Sequence, residues 1–253
     1  MVRNTGKEAK GRLDELLVER GLAATVAEAR GLIMAGQVVA GDQRVDKPGT
    51  LVRRDVPLRV KDSSRFVSRA GEKLAHALAD LGLADVVKGA VVLDVGASTG
   101  GFTQCCLELG AKMVIAVDVG SNQLAWELRQ DARVRVLEQT DIRAFDPAAY
   151  PPVDFVVADI SFNSLARLAP ALRQAAPRPN TRFLVLVKPQ FELPRAQVPG
   201  GGVVVDEALR EEAVRRVAAA FIAAGLGPGR TVDSRVPGRA GNREIFFYAQ
   251  RQL

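Results

Sequence analysis

A glycine-rich segment near the middle of the chain constrains its fold more than any other feature. The segment is VVLDVGASTGGF, residues 91–102, in which apolar residues and one acid precede a run of glycines. This pattern is typical of a buried parallel strand that runs into the N-terminus of a helix. In a doubly wound sheet such a turn faces the crevice at the carboxyl ends of the strands, where cofactors bind.

The spacing of the glycines indicates which kind of cofactor the turn accepts. Gly96, Gly100 and Gly101 allow the backbone to approach a ligand without side-chain obstruction. The dinucleotide fingerprint G-x-G-x-x-G requires a glycine at the position of Ser98. We therefore expect a nucleoside cofactor that lacks phosphates, such as S-adenosylmethionine, rather than a dinucleotide. The alternative is a tight strand–helix turn that binds no ligand.

Length and composition exclude several classes of protein. With 253 residues, 47% of them hydrophobic, the chain can form one large domain or a large domain with a small one. No apolar run approaches the roughly 20 residues of a membrane helix, and the N-terminal residues contain no apolar core of a secretory signal. The only two cysteines, Cys105 and Cys106, are adjacent, so neither an ordinary disulfide nor a zinc site is expected. We expect a cytoplasmic protein with no metal ion and no membrane association.

The basic residues are concentrated at the N-terminal end of the chain. Residues 1–73 contain 15 lysines and arginines and 10 acids, whereas residues 74–253 contain 20 and 19. An excess of positive charge in one part of a chain indicates a module that binds a polyanion such as nucleic acid. A basic surface that is merely solvated is the alternative interpretation.

The first 60 residues have the pattern of a small α+β domain. Apolar residues recur at helical spacing over 12–20. Thr25 and Glu28 have the spacing of a capping box and predict the start of a second helix. Two strand-like segments follow, at 37–45 and 51–60.

This order of elements resembles the S4-type RNA-binding domain, and the segments that carry the resemblance are RLDELL and EARGLIMAGQVVAGDQRV, within residues 12–60. In that family, paired helices present arginine and lysine side chains to structured RNA. The resemblance implies an N-terminal RNA-binding domain over 1–60. The RNA-binding residues that it implies are Arg12, Arg20, Arg30 and Arg44. The chain departs from the family at Thr25 and Val26, where relatives often have Ser-Arg, so we expect one phosphate contact fewer.

The remainder of the chain predicts a second, larger domain. Residues 61–69, KDSSRFVSR, are charged and rich in serine and predict an interdomain linker. Over 70–253, helical and strand-like segments alternate and end in a β-hairpin. This alternation predicts an α/β domain with a Rossmann-like methyltransferase sheet that is mostly parallel, its last strand antiparallel. The strands are predicted within 91–102 and at 113–118, 134–141, 153–159, 182–189, 231–236 and 244–249.

Acidic residues end two of the predicted strands. Asp118 lies about 20 residues beyond the glycines, where an acid can accept hydrogen bonds from ribose hydroxyls. An N-cap for the following helix is the alternative role. Asp141, at the end of the next strand, can accept a hydrogen bond from the exocyclic amine of an adenine, or else cap a turn.

Four charged residues can form a catalytic cluster. Asp159 and Lys188 each follow an apolar strand beside the predicted crevice, where unpaired charge is costly to bury. Lys73 and Glu244 lie at the edges of the same predicted domain and can converge on that point. Such a cluster suits methyl transfer to a ribose hydroxyl, because one lysine can orient or help deprotonate the hydroxyl while the carboxylates hold the lysines. Simple ion pairs at the rim of the domain are the alternative.

Several segments occur in an order that resembles the TlyA family, whose members are also called hemolysin A. They are FVSRAGEKL, LDVGASTGGFT, AVDVG followed by QLAW, VVADISF, LVKPQFE, PGGGVV and GNREIFF. The resemblance covers residues 12–249 and implies an S4-type domain joined to an FtsJ-like methyltransferase domain. It further implies S-adenosylmethionine-dependent methylation of a cytidine 2′-hydroxyl in ribosomal RNA.

The resemblance also implies which residues carry this activity. The catalytic residues would be Lys73, Asp159, Lys188 and Glu244. The cofactor site would consist of Asp94, Gly96, Ala97, Ser98, Thr99, Gly100, Gly101, Asp118, Asp141 and Asp159. The segment Arg65–Val67 would couple RNA docking to cofactor binding, with Arg65 and Phe66 contacting RNA. Phe66 stands where relatives carry tryptophan, so stacking would survive but an indole donor would not.

Members of the TlyA family fall into shorter forms that modify only 23S ribosomal RNA and longer forms that also modify 16S. Because this chain ends soon after the last predicted strand, we expect 23S RNA and the 50S subunit as the favoured target, with 16S RNA and the 30S subunit as the second possibility. Two rival functions are a membrane-active hemolysin and a non-catalytic RNA-binding ribosome assembly factor. The first requires a membrane segment that the sequence does not show, and the intact set of four charged residues argues against the second.

Overall fold

The structure of the chain is a computed structural model that describes residues 10–34, 36–60, 65–238 and 241–251. The chain divides into two units, Met1–Ser63 and Ser64–Leu253. The predicted linker, 61–69, falls at this division. Residues 61–64 of that linker lie outside the described residues, and its last residue, Arg69, already begins a helix.

The described part of the first unit contains two short helices and five short strands. In chain order they are β1 (Lys10–Arg12), α1 (Leu13–Glu19), α2 (Val26–Met34), β2 (Val38–Ala40), β3 (Gln43–Arg44), β4 (Leu51–Arg53) and β5 (Leu58–Val60). β1 pairs antiparallel with β4, and β2 pairs antiparallel with both β3 and β5. The sequence pattern does not predict β1, because its residues are polar and its partner strand lies far along the chain.

The predicted start of α2 is present, with one of the two hydrogen bonds expected of a capping box. The Thr25 hydroxyl accepts a hydrogen bond of 3.1 Å from the Glu28 N–H, and the Glu28 carboxylate accepts one of 2.7 Å from the Ala24 N–H. The first contact satisfies an N–H group that has no partner within the first turn of the helix. In the second, Glu28 binds the N–H one residue before Thr25 rather than that of Thr25 itself. The two helices then pack through apolar side chains such as Leu17 and Ile33, both fully buried.

The second unit carries the remaining helices and strands of the described chain. They are α3 (Arg69–Asp80), α4 (Ala84–Val87), β6 (Val91–Val95), α5 (Gly101–Glu108), β7 (Met113–Val117), α6 (Trp126–Gln130), β8 (Val134–Leu137), β9 (Phe155–Ala158), α7 (Leu165–Ala175), β10 (Arg182–Val187), α8 (Pro189–Glu192), α9 (Glu207–Ala223), β11 (Arg230–Asp233) and β12 (Ile245–Gln250). Three short 3-10 helices, Ile142–Ala144, Pro147–Ala149 and Arg195–Gln197, lie between them.

Seven strands of the second unit form one sheet in the order β11-β12-β10-β9-β6-β7-β8. The pairs from β10 to β8 are parallel, whereas β12 runs antiparallel to both β10 and β11. The predicted mostly parallel sheet with an antiparallel last strand is therefore confirmed. The chain leaves β6 towards β7 on one side and returns to β9 on the other, which places a crevice at the carboxyl ends of the strands.

Apolar cores cover both faces of this sheet. One core includes Leu74 of α3 and Phe102 of α5, and the other includes Leu168 of α7 and Phe221 of α9. The central strands are consequently buried on both faces, which explains why they are continuous apolar runs in the sequence. Cys105 and its neighbour in α5 are buried in the first core, as small apolar residues, and burial raises the pKa of the Cys105 thiol to about 12.

Candidate active site

A cavity of about 990 Å³ opens at the carboxyl ends of the parallel strands. Its walls are the segments that follow β6, β7, β8, β9 and β10, together with part of α3 and the residue that directly precedes β12. This is the edge of the sheet at which doubly wound proteins bind ligands. This cavity is therefore where the glycine-rich turn and the charged residues predicted from the sequence are expected to meet.

In the turn after β6, the backbone conformation and the surrounding protein atoms leave no room for a side chain at the glycine positions. Gly96 has a φ of 81°, and a Cβ atom there would lie 2.7 Å from the Asp159 carbonyl oxygen. Gly100 has a φ of 99°, and a Cβ atom on Gly101 would collide with the Ser68 hydroxyl. These glycines let the turn pack against its neighbours, whereas the sequence pattern assigns them to the close approach of a ligand. Of the turn residues, Gly96, Ala97, Ser98 and Thr99 line the cavity, and Asp94, Gly100 and Gly101 do not.

Asp94 lies behind the turn and is fully buried in β6. Its Oδ2 atom accepts a hydrogen bond of 2.6 Å from the Thr103 hydroxyl, and its Oδ1 atom has no partner among the described residues. Burial, reinforced by the nearby carboxylate of Asp159, raises the pKa of Asp94 to about 7. Asp94 therefore ties β6 to α5 through the Thr103 side chain and does not line the cavity.

Asp118 follows β7 and lies in the cavity wall. Its Oδ2 atom accepts a hydrogen bond of 2.8 Å from the Ser98 N–H, and its Oδ1 atom accepts one of 2.7 Å from the Gly120 N–H. Each carboxylate oxygen can accept a second hydrogen bond, so ribose hydroxyls can still be bound. The alternative role as an N-cap does not occur, because the next helix, α6, begins at Trp126.

Asp141 follows β8 and also lies in the cavity wall. Its carboxylate accepts a hydrogen bond of 2.9 Å from the Arg143 N–H and lies 2.6 Å from the Arg143 guanidinium. These contacts lower the pKa of Asp141 to about 2. Asp141 thus caps the 3-10 helix that follows, as the alternative interpretation expects, and its contact with an adenine amine stays a prediction.

Lys188 and Asp159 form one ion pair in the wall of the cavity. The Lys188 Nζ atom lies 2.6 Å from Asp159 Oδ1 and donates a hydrogen bond of 2.8 Å to the Ser161 hydroxyl. β9 and β10 are adjacent parallel strands, so residues just beyond their carboxyl ends lie side by side. Both charged side chains are largely buried, with 10% and 17% of their surface exposed.

Lys73 and Glu244 form a second ion pair in the wall of the same cavity. The Lys73 Nζ atom, on α3, lies 2.5 Å from Glu244 Oε2, just before β12. Both residues are buried. The structure therefore brings all four predicted catalytic residues to one cavity, as two lysine–carboxylate pairs.

Two aromatic residues that line this cavity, Phe162 and Phe191, were not predicted from the sequence. Phe162 is 90% exposed and has a φ of 64°, and its ring centroid lies 5.6 Å from that of Phe191. A spacing in the sequence could have indicated them. Phe162 follows Asp159 by three positions, and Phe191 follows Lys188 by the same number.

The first unit holds the arginines predicted to contact RNA. Arg12 and Arg30 both pair with the carboxylate of Asp14, at 2.8 and 3.0 Å. Asp14 is fully buried, whereas the two arginine side chains are 42% and 53% exposed. The helical pattern over 12–20 predicts Asp14 outside the apolar face, and the structure corrects this, because the two arginines allow its carboxylate to be buried.

The other two predicted RNA-binding arginines are exposed and differ in their contacts. Arg20 donates a hydrogen bond of 2.6 Å to the Val56 carbonyl oxygen and another to that of Arg54. The Arg44 side chain lies against Gly36, where a Cβ atom would collide with its guanidinium. Arg20 therefore also joins α1 to the segment between β4 and β5.

Arg65 and Phe66 lie at the start of the second unit. The Arg65 guanidinium pairs with Glu108 at 2.5 Å and lies 5.1 Å from the centroid of the Phe66 ring. The ring is 95% buried and packs over Gly71 of α3. It cannot stack on a base in this arrangement, so an RNA contact by Phe66 requires the segment to rearrange.

Among the described residues, no group of three or more His, Cys, Asp or Glu side chains could hold a metal ion. In the same part of the chain, no helix is both long and apolar enough to cross a membrane.

The seven-stranded sheet, the glycine-rich turn and the charged cavity at the strand ends define a Rossmann-type methyltransferase. Residues 66–252 match the model of the FtsJ-like methyltransferase family, and residues 11–56 match the S4 domain. The chain therefore belongs to the FtsJ-like methyltransferase family, and the predicted resemblance to TlyA proteins is confirmed by the relatives described next.

Two named relatives and one solved structure are similar over most of the chain. The "16S/23S rRNA (cytidine-2'-O)-methyltransferase TlyA" of Mycobacterium tuberculosis is 45% identical, over 96% of this chain and 91% of that protein. The "23S rRNA (cytidine-2'-O)-methyltransferase TlyA" of Campylobacter jejuni is 34% identical, over 74% of this chain and 71% of that protein. A solved structure described as "Putative hemolysin from Streptococcus thermophilus" has a TM-score of 0.73 and 38% identity, covering 97% of this chain and 90% of its own.

Proposed function

We propose that this protein transfers a methyl group from S-adenosylmethionine to the 2′-hydroxyl of a cytidine in 23S ribosomal RNA. The observation that carries the proposal is the convergence of two ion pairs, Lys73–Glu244 and Lys188–Asp159, on one cavity beside the glycine-rich turn. The names of the relatives from Mycobacterium tuberculosis and Campylobacter jejuni both include 23S RNA and cytidine 2′-O-methylation. This common target is the one proposed here.

The cavity fits the proposed cofactor. Its volume of about 990 Å³ is at the upper end of the range for small-molecule sites, so a nucleoside cofactor leaves room for part of a nucleotide. Asp118 would accept hydrogen bonds from the ribose hydroxyls, and Asp141 would accept one from the adenine amine. Ala97 and Ser98 would contact the cofactor from the turn. When bound, S-adenosylmethionine supplies a methyl group that its sulfonium charge already activates.

The protein's contribution to the reaction is mostly positioning. Lys188 would hold the ribose oxygen by a hydrogen bond, in line with the methyl carbon and the sulfur. With the cofactor bound, the ribose oxygen would form its bond to the methyl carbon as the bond from that carbon to sulfur breaks. The hydroxyl proton would pass to the Asp159 carboxylate, because the Lys188 ammonium paired with it can only donate. Lys73 and Glu244 would fix the second wall of the site, because each is the other's buried partner.

Two features support RNA as the substrate. The chain contains an S4 domain with an excess of basic residues, and positive charge in such a module favours binding to phosphate groups. At the mouth of the cavity, Phe162 presents an exposed ring of the kind on which unpaired bases stack. A base held there would bring its ribose close to the charged pairs that line the same cavity.

The proposal is tested by labelled methyl transfer to ribosomal subunits that lack 2′-O-methylation. Wild-type protein should label 50S subunits at a cytidine 2′-oxygen, and Lys188→Ala should abolish the label. Lys112→Ala is the matched control, because Lys112 is exposed and does not line the cavity.

Each outcome of this experiment discriminates between functions. Label on 50S subunits that is lost only in Lys188→Ala supports the enzyme, the cofactor and the substrate together. Label confined to 30S subunits would overturn the proposed target. An absence of label from both subunits, with S-adenosylmethionine bound in isothermal titration, would overturn the catalytic proposal and favour a non-catalytic RNA-binding assembly factor.

A further inference from the structure

One buried carboxylate in the first unit holds two arginine side chains from different elements. Arg12 ends β1, Arg30 lies in α2, and Asp14 lies in α1 between them in the chain. Arg12 donates to both carboxylate oxygens of Asp14, with Nε at 3.0 Å and Nη2 at 2.8 Å. Arg30 donates from Nε to Asp14 Oδ2 at 3.0 Å. The two guanidinium groups therefore share one carboxylate oxygen and lie next to each other.

The carboxylate is inside the unit and the guanidinium groups are at its surface. Asp14 has none of its side chain exposed, whereas Arg12 and Arg30 are 42% and 53% exposed. Within the described residues, Arg30 uses only Nε for this contact, so both of its terminal amino groups are donors without a protein partner. The two arginines hold the pKa of the Asp14 carboxyl well below its usual range, which keeps it charged.

This arrangement has a consequence for ligand binding. A free arginine side chain loses conformational entropy when it is immobilised on a ligand. A guanidinium already held by a buried carboxylate has lost that freedom in the folded protein, and its remaining N–H groups keep the planar geometry that matches a phosphate. Two such groups side by side can contact the oxygens of one phosphate or of two neighbouring phosphates.

We propose that Asp14 is a positioning residue that holds Arg12 and Arg30 as one binding subsite for RNA backbone phosphate. The inference rests on the proposed function only in that it takes RNA as the ligand. It assigns Asp14 a favourable role in binding a polyanion, although its charge is negative. The rival explanation is that Asp14 merely ties β1, α1 and α2 together.

A purely electrostatic effect of Asp14 and a positioning role predict opposite changes in RNA affinity for the same substitution. Asp14→Asn removes one negative charge, so charge alone would strengthen binding to RNA. If Asp14 positions the arginines, the same change weakens binding by about 3- to 10-fold, because two side chains must then be ordered by the ligand. Glu15→Gln is the matched control, since Glu15 is the next residue, lies 3.5 Å from Arg12 Nε and is 57% exposed. It should leave binding unchanged or strengthen it.

The experiment measures the affinity of the full-length protein for 23S RNA transcribed in vitro, over a range of salt concentrations. Arg12→Ala and Arg30→Ala should each weaken binding and reduce the salt slope, because each removes phosphate contacts. In the Arg30→Ala background, Asp14→Asn should have a smaller effect than in the wild type, because part of its action passes through Arg30.

Thermal unfolding of every variant shows whether it is folded. A second variant, Arg30→Lys, keeps the inference testable if Asp14→Asn does not fold. Arg30→Lys keeps the charge and the partner of Asp14 but not the planar donors. It should weaken RNA binding by about 3-fold or more without lowering the unfolding temperature. If Asp14→Asn unfolds the first unit, a wild-type affinity for Arg30→Lys overturns the inference and a weakened one supports it.

The outcomes separate this inference from the proposed function. Weaker binding by folded Asp14→Asn, together with unchanged or tighter binding by Glu15→Gln, supports the positioning role. Unchanged or tighter binding by Asp14→Asn, with binding still reduced in Arg12→Ala and Arg30→Ala, overturns it and leaves the RNA-binding function in place. Wild-type protein that does not bind 23S RNA would instead overturn the proposed substrate.

Discussion

The Lys73 ammonium lies 2.5 Å from the Glu244 carboxylate, although 171 positions of the chain separate the two residues. Lys73 is on the first helix of the second unit, and Glu244 directly precedes its last strand. Both side chains are buried in the wall of the cavity that also contains Lys188 and Asp159. The ion pair therefore joins the two ends of the methyltransferase domain at its candidate active site.

Removal of one partner of this pair should affect both stability and activity. Glu244→Gln keeps the size of the side chain but leaves the Lys73 ammonium buried without a carboxylate. We expect the free energy of unfolding to fall by about 3 kcal/mol, because an uncompensated buried charge is strongly destabilising, and methyl transfer to fall with it. Urea denaturation and labelled methyl transfer measure the two effects. Glu211→Gln, at an exposed position of α9, is the control and should change neither by a comparable amount.

Two variants should show that methyl transfer and cofactor binding depend on different residues. Lys188→Ala should abolish methyl transfer and leave the affinity for S-adenosylmethionine near that of the wild type. Asp118→Ala should weaken cofactor binding first, because it removes the proposed acceptor for ribose hydroxyls and also the contacts that hold the Ser98 and Gly120 N–H groups. Isothermal titration measures the affinities. Retention of most activity by Lys188→Ala would show that the catalytic assignment is wrong.

The buried Asp94 carboxyl group should make stability depend on pH. Its pKa in the folded protein is raised to about 7 by burial, so the folded state keeps a proton that the unfolded chain releases near pH 4. The free energy of unfolding should therefore decrease as the pH rises from about 4 to 7, by up to about 4 kcal/mol from this group, and stay constant above that range.

Asp94→Asn should remove this component, since the amide does not titrate and can still accept a hydrogen bond from the Thr103 hydroxyl. Urea denaturation at several pH values measures the difference between variant and wild type. That difference should grow in favour of the variant from acidic to neutral pH. Asp42→Asn, at an exposed position of the first unit, is the control. Parallel pH profiles for the wild type and Asp94→Asn would contradict the prediction.

Phe162 should matter for RNA and not for the cofactor. Its ring is 90% exposed at the cavity, and the loss of a stacking surface costs about 1–3 kcal/mol per base. We expect Phe162→Ala to reduce methyl transfer to 50S subunits by about 10-fold or more, with an unchanged affinity for S-adenosylmethionine. Phe162→Tyr should restore most of the activity, because it restores the aromatic face. Equal losses in the alanine and tyrosine variants would exclude a stacking role.

The positions of single elements were predictable because they depend on neighbours in the chain. The apolar runs at Val91–Val95 and Arg182–Val187 indicate buried parallel strands, and the pair Thr25 and Glu28 indicates the start of α2. β1 was not predictable in this way. Its polar residues become a strand only because β4 provides hydrogen-bond partners from another part of the chain.

The candidate site was predictable to different degrees. The proximity of Asp159 and Lys188 was predictable from the strand pattern. Each residue directly follows an apolar strand, and parallel strands bring their carboxyl ends to one edge of the sheet. The aromatic residues Phe162 and Phe191 were missed, because the loop that carries Phe162 and the four-residue helix α8 that carries Phe191 are too short to show a periodic pattern. Phe66 was assigned to RNA, yet its ring is buried against Gly71, and burial of a single aromatic residue near a turn has no local signature.

The sequence by itself determined the division of the protein into two units, the α/β sheet of the second unit and the kinds of charged residue at the strand ends. These features depend on hydrophobic periodicity and turn chemistry, which act over a few neighbouring residues. Only the tertiary structure decided that Lys73 pairs with Glu244, that Asp94 is buried behind the turn and that Asp14 holds two arginines. The reason is physical: the environment of a charged side chain is set by the segments that pack around it, and those segments are distant in the chain.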